Sequence, residues 1–407
     1  MRLITSNHKW SRIAQLGLAL AAFAGSGFAE ASSNPQYTVL DLGPVGPAGQ
    51  PFHIADNGLV SGAAAADNGA DLSVLYFRGH KVVISNPGLG GANSMPFGLN
   101  NWGVAVGGAN TSTPDPNGED FCGFQSLGLP SAATSCLPFV WQDGTMVALP
   151  TLDQGVNGVA NAINNYGEIG GSAENTSLDP SCPPYNLAAM PPQFQQYYFK
   201  PVYWLNGNVQ ELPTVGGDPD GSVLAVNDSG QLAGGSGTCS TFNPQVLIGL
   251  QPQHAVLWQK DGTALDLGTL GGGAQAGSGH LALGINNFGQ VVGFSTLSDD
   301  VTLHGFLWTK EAGTMTDLPP VPGIPNAFSS AIDINDSGVI VGVSTNFSTF
   351  DATIWRNGLP TDLNTLIPPH SPLHLMVACS VNARGQIIGW AIDHKGQLHG
   401  YQLDPLP

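Results

Sequence analysis

Side chains able to do chemistry are scarce in this sequence, and their spacing restricts what they can do. The 407 residues carry 29 acidic and 11 basic groups, a charged fraction of 10%, against the roughly 25% of an ordinary soluble domain. Asp115, Glu119 and Asp120 crowd one polar segment. Two carboxylates facing each other across a pocket can cleave glycosidic bonds, and a cluster of them can hold a cation. In a surface loop they are simply solvated, which is the expectation here. His370 and His374 are four residues apart, but Pro368, Pro369 and Pro372 preclude the helix that would turn that spacing into a metal pair. Gly271, Gly272 and Gly273 lack the spacing of a phosphate-binding loop, and no Gly-x-Ser-x-Gly nucleophile turn occurs. The excess of acid over base argues against nucleic acid, which demands clustered Lys and Arg. These patterns nominate no catalytic residue, no metal site and no cofactor.

The elements that position every side chain are set by a repeat. The stretch "GINNFGQVVG" (284–293) returns as "GLNNWGVAVG" (98–107), "AINNYGEIGG" (162–171), "AVNDSGQLAG" (225–234), "DINDSGVIVG" (333–342) and "SVNARGQIIG" (380–389), with a degenerate "HIADNGLVSG" at 53–62. Its first glycine is Gly58, Gly103, Gly167, Gly230, Gly289, Gly338 or Gly385. Six copies place an Asn three residues earlier: Asn100, Asn164, Asn227, Asn286, Asn335 and Asn382. Asn opening a turn that Gly closes in the left-handed region is favoured hairpin chemistry. Short apolar segments flank the turn, so each copy reads as strand, turn, strand. The second glycine, four residues on, is expected where another strand approaches too closely for a side chain. These residues make turns; they do no chemistry.

A second hairpin follows, marked by Trp141, Trp204, Trp258, Trp308 and Trp355, with Phe77 in the first copy. Recurring once per repeat, these rings are expected to fill the core between neighbours. Each repeat thus holds four strands, termed a to d, in about 45 residues plus insertions, the size of a propeller blade. The last copy stops after a third strand, while an orphan "YTVLDLG" (37–43) matches the fourth strand "TALDLG" (263–268). The predicted fold is all-β: a seven-bladed β-propeller of four-stranded blades, closed by the N-terminal strand completing the last blade. A solenoid of stacked hairpins leaves the orphan strand unexplained.

The N-terminus has the form of an export signal. Lys9 and Arg12 precede an apolar run from Ala14 to Ala24, and "GFAEA" (27–31) supplies small residues for cleavage. That run is too short for a lasting anchor, which takes about 20 residues. Residues 1–31 are read as a leader and 32–407 as one mature domain, periplasmic or secreted, without a membrane span and monomeric. If strand a starts at the top, the Asn-Gly turns lie at the bottom and the b–c loops at the top. Three long insertions, 109–136, 173–199 and 237–253, then form one wall on the top face of blades 2, 3 and 4. Cys122 and Cys136 flank one insertion, while Cys182 and Cys239 lie in the other two. Two disulfides with those pairings are expected, leaving Cys379 as a buried free thiol.

These motifs resemble the bacterial extracellular HAF-repeat proteins, named for a recurring His-Ala-Phe. The match is carried by "HAV" at His254, "HGF" at His304 and "HGY" at His399, beside the "GQVVG" and "DLGTLGG" segments. The remaining copies carry Ser73, Leu137, Lys200 and Asp351 in place of the His. The resemblance covers nearly the whole mature chain and implies the repeat and an exported location, with no catalytic residues to carry over. Function is therefore expected on the insertion wall, as an exported binding module for a glycan or protein partner. Its candidate contacts are the insertion aromatics Phe121, Phe124, Tyr185, Phe194, Tyr197, Tyr198 and Phe242, whose alternative role is to pack the loops onto the blades. A secreted carbohydrate-active hydrolase or lyase with carboxylates at the channel mouth is the second reading. A structural envelope component is the third.

Overall fold

The computed structural model describes residues 35–45, 51–78, 80–84, 89–124, 129, 134–180, 182, 197–239, 250–273 and 279–407. The expected leader lies outside them, as do Tyr185, Phe194 and Phe242. Seven four-stranded antiparallel sheets make up the molecule. Their a strands are Pro51–Ile54, Gly90–Leu99, Gly158–Ile163, Asp220–Val226, His280–Ile285, Phe328–Ile334 and Leu373–Val381. Each a strand touches the next, and the last touches the first, so the ring closes. The seventh blade continues through Ile387–Asp393 and Leu398–Pro405 and takes Tyr37–Pro44 as its d strand. Tyr37 stands opposite Pro405 and Asp41 opposite Tyr401. Gln36 N donates to Leu366 O at 2.8 Å, and Arg356 donates to the Tyr37 hydroxyl at 2.8 Å. The closing strand therefore also grips the sixth blade. Closure hides most strand edges, which suits a β-rich chain with little charge to protect them.

The seven turn glycines have φ between 73° and 86°, the left-handed region that a Cβ disfavours. The turn asparagines do more than open these turns. Asn100 Oδ1 accepts from the amides of Trp102 and Val104, both at 3.0 Å, while its Nδ2 crosses to the next blade and donates to Asn164 O at 3.1 Å. Asn164, Asn227, Asn286 and Asn335 repeat the crossing, and Asn382 donates to Ala55 O. A necklace of side chains thus links the bottom turns. Where Ala55 breaks the pattern, Asn57 substitutes, accepting from Leu59 N at 2.8 Å and donating to Asn101 O at 2.9 Å. A second circlet comes from the following residue, where Asn101, Asn165, Asp228, Asn287, Asp336 and Asp56 each accept an amide from a neighbouring blade.

Trp204, Trp258 and Trp355 are buried and donate Nε1–H to the carbonyls of Pro150, Pro213 and Pro319 on the preceding blade, at 2.7–2.8 Å. The first blade corrects the alignment by one residue. Tyr76 pairs with Val60 as Trp258 pairs with Leu232, so Tyr76, not Phe77, holds the Trp position. Phe77 is 43% exposed and Tyr76 only 7%, as a one-residue slip requires when faces alternate. By the same register Leu72, not Ser73, holds the His position. Those histidines pair with the Asp-Leu of strand d: His304 Nδ1 lies 2.8 Å from Asp317 and His399 Nδ1 2.9 Å from Asp41. His254 sits 2.7 Å from Asp218, with Asp266 at 3.9 Å.

Candidate functional site

The second glycine of each repeat governs what faces the propeller axis. A Cβ on Gly107, Gly171, Gly234, Gly293, Gly342 or Gly389 would overlap the carbonyl oxygen of Met95, Val159, Ser222, Leu281, Ser330 or Val377 on strand a. That crowding accompanies a β-bulge at one position in every a strand. A bulge leaves one residue unpaired and re-aims its side chain. The unpaired residues are Phe52, Phe97, Leu224, Leu283 and Ile332, with Asn161 as the amide and Cys379 as the thiol, and all of them line an axial cavity of about 390 Å³. Phe52 and Phe97 meet edge to face, 5.1 Å between centroids.

The next position forms an unsymmetrical layer of the same cavity. Gly98, Ala162, Ala225 and Gly284 carry little or no side chain on one side, where a Cβ on Gly98 or Gly284 would meet the next a strand at 2.9 Å, while Asp333, Ser380 and His53 from blades 6, 7 and 1 face the cavity from the other. Ser380 Oγ donates to Asp333 Oδ2 at 2.7 Å and lies 3.5 Å from His53 Nδ1. Asp333 also accepts the amides of Ile334, at 2.8 Å, and Val381, at 2.9 Å. Burial pushes the Asp333 carboxyl above its ordinary range, opposed by His53 and by those hydrogen bonds. Burial lowers His53 for the same reason, against the pull of Asp333 and Asp56. Cys379 is a free thiol, as expected, and burial pushes it up to about 12. Leu250, Gln251 and Pro252, at the end of the blade 4 insertion, line the upper part of the cavity with Phe347 and Trp390.

The residues nominated from sequence are placed differently from that cavity. Phe121 and Phe124 are each 1% exposed, packed with Leu129, Phe199, Leu250 and Leu281. They hold the blade 2 insertion down and present no ring on a rim. Tyr197 is half-buried, its hydroxyl donating to Asn117 at 3.3 Å, and Tyr198 lies under Lys200, whose Nζ is 4.7 Å from the ring centroid. Disulfides join Cys122 to Cys136 and Cys182 to Cys239, the first within an insertion and the second between two. Cross-links of this kind persist in oxidising compartments.

The acids are the clearest departure from expectation. Asp115, Glu119 and Asp120 are buried, not solvated. Asn157 Nδ2 donates to Asp115 and to Glu174, both at 2.8 Å, and to Glu119 at 3.4 Å. Burial and then Glu119 hold Glu174 well above the ordinary carboxylate range. Nearby, burial followed by a hydrogen bond with Asp179 raises Asp220 to about 9. Glu174, Asn157, Asp220, His53, Asp333 and Ser380 escaped the sequence reading. The signal for the last three is that their repeat position holds Gly or Ala in the other four copies.

No family model and no curated protein matches this sequence. Among solved structures, the fold is similar to a puromycin-hydrolyzing peptidase of Mycobacterium tuberculosis, with TM-score 0.51 and 12% identity over 91% of this chain and 56% of that one. It is also similar to an acylaminoacyl peptidase of Pyrococcus horikoshii, with TM-score 0.47 and 9% identity over 85% and 49%. An oligogalacturonate lyase of Vibrio parahaemolyticus aligns with TM-score 0.48 and 12% identity over 92% and 95%. This chain spans about half the length of the two peptidases. At such identities the likeness is one of fold alone. No helix among the described residues is long and apolar enough to cross a membrane.

Proposed function

We propose that this protein is an exported binding module that takes a small, largely apolar ligand into its axial cavity. The observation that carries the reading is the bulge repeated in all seven a strands, which aims one side chain per blade into a single space of about 390 Å³. Concave, mostly apolar sites with a few convergent polar groups are the usual form of small-molecule sites. The leader-like N-terminus, the two disulfides and the HAF-like motifs support export. A glycan or protein partner on the insertion wall draws less support, because Phe121 and Phe124 are committed to the core. A hydrolase or lyase would call for two carboxylates across the cavity, and Asp333 is the single acid among its described lining residues.

The test is binding of the fluorescent apolar probe N-phenyl-1-naphthylamine to the purified mature chain and to Leu224→Trp, which enlarges a bulge side chain aimed into the cavity. Saturable binding by the wild-type protein that is lost in a folded Leu224→Trp supports the cavity. Equal binding by both would place the probe elsewhere and refute the reading.

A further inference from the structure

The orientation of two polar side chains at the cavity wall specifies the hydrogen bonds a ligand must offer. A serine hydroxyl has one hydrogen, and Ser380 gives it to Asp333 at 2.7 Å. Asp333 is already the acceptor of two backbone amides, Ile334 on Oδ1 and Val381 on Oδ2, so it takes that hydrogen. Towards His53 the Ser380 oxygen therefore presents a lone pair. His53 Nδ1, 3.5 Å away, carries the proton of the neutral ring, and Nε2, which meets no partner among the described residues, is the acceptor. Asn161 is oriented by a similar constraint. Its Nδ2 donates to Val223 O at 2.8 Å and to Ser222 Oγ at 3.1 Å. A backbone carbonyl can only accept, so the amide cannot be reversed, and Oδ1 is the end that meets no donor among the described residues.

We infer that the axial cavity selects uncharged, apolar-bodied molecules carrying hydroxyl or N–H donors, which His53 Nε2 and Asn161 Oδ1 accept. This rests on the cavity being the ligand site. The two acceptors stand on blades 1 and 3, with Phe97 and Gly98 of blade 2 between them, so donors on opposite parts of one flat molecule can address both. Anions are disfavoured, since Asp333 faces the same space and no Lys or Arg is among the described lining residues. The apolar bulge residues accept the body of the ligand, and the donor groups decide among bodies of equal size.

Equilibrium dialysis with three probes of one shape tests this: 1-methoxynaphthalene, 1-naphthol and 1-naphthoate. The wild-type protein should bind 1-naphthol about three- to tenfold more tightly than the ether, the range of one hydrogen bond, and 1-naphthoate more weakly than either. In the double variant His53→Phe/Asn161→Leu the naphthol preference should vanish while ether binding stays. Equal affinity of the wild-type protein for naphthol and ether overturns the inference and leaves the cavity reading standing. So does a naphthol preference that survives the double substitution. Binding of none of the three probes overturns both. If circular dichroism shows the double variant unfolded, the wild-type affinity order decides alone.

Discussion

Replacing Asn286 by alanine removes the central link of the bottom necklace. Asn286 is buried, and its amide makes four hydrogen bonds. Nδ2 donates to Asn335 O at 3.1 Å and to Gln290 Oε1 at 2.7 Å. Oδ1 accepts from the amides of Phe288 and Gln290, both at 3.1 Å. At about 1 kcal/mol net each, all four would come to about 4 kcal/mol. Asn335 O keeps its second donor, the Gly338 amide at 3.0 Å, and the Gln290 side chain can turn to water. The expected loss for Asn286→Ala is therefore about 3 kcal/mol. Asn286→Asp separates the two halves of the amide. It keeps the two accepted bonds but sets a carboxylate against the Asn335 carbonyl. It should cost about as much as alanine at pH 7 and recover part of the loss as acid protonates the new group. Urea denaturation followed by fluorescence measures both. A cost below about 1 kcal/mol for alanine, or near-neutral behaviour of Asn286→Asp, would show that the cross-blade donation contributes nothing.

Other outcomes follow from the same geometry. Gly338→Ala, at φ 74° with open space around the added Cβ, should cost about 1–2 kcal/mol through backbone strain. Gly293→Ala, whose Cβ would overlap the Leu281 carbonyl, should cost clearly more or prevent folding; equal melting temperatures would refute the bulge argument. Asp220 holds its proton to about 9 when folded, whereas the unfolded chain releases it near the ordinary carboxylate value. Stability is thus lost as pH rises between those values. Asp220→Asn, which keeps the acceptor for Phe199 N and a donor for Asp179, should melt higher than wild type at pH 8, with the difference shrinking towards pH 4. Cys379, pushed up to about 12, should resist iodoacetamide at pH 8 in the native protein and label fully in guanidinium. Peptide mapping should recover Cys122 with Cys136 and Cys182 with Cys239.

The blade pattern was legible because its causes are local. The Asn and Gly of each turn lie three residues apart, and the hydrogen bonds and φ values they dictate form within that span. The closing strand was legible for a related reason, since a missing element at one end matched an extra one at the other. Register in the first blade was not, because alternation alone lets Phe77 and Tyr76 compete until pairing with Val60 decides between them. The buried acids were misread as well. Glu174 and Asn157 are far from Asp115 in sequence, and only the folded insertion brings them together.

The architecture could be read from the chain alone: the turns, the count of blades, the ring closure and the cysteine pairs. Which residues line the axial cavity is settled only by the folded ring. His53 and Ser380 stand 327 residues apart and meet only because the ring closes. The side chains lining the axis are aimed by bulges on the a strands, where strand a carbonyls press on the second glycines of the same blades. That contact forms within one hairpin, but the cavity those side chains share exists only once seven such strands have packed around one axis.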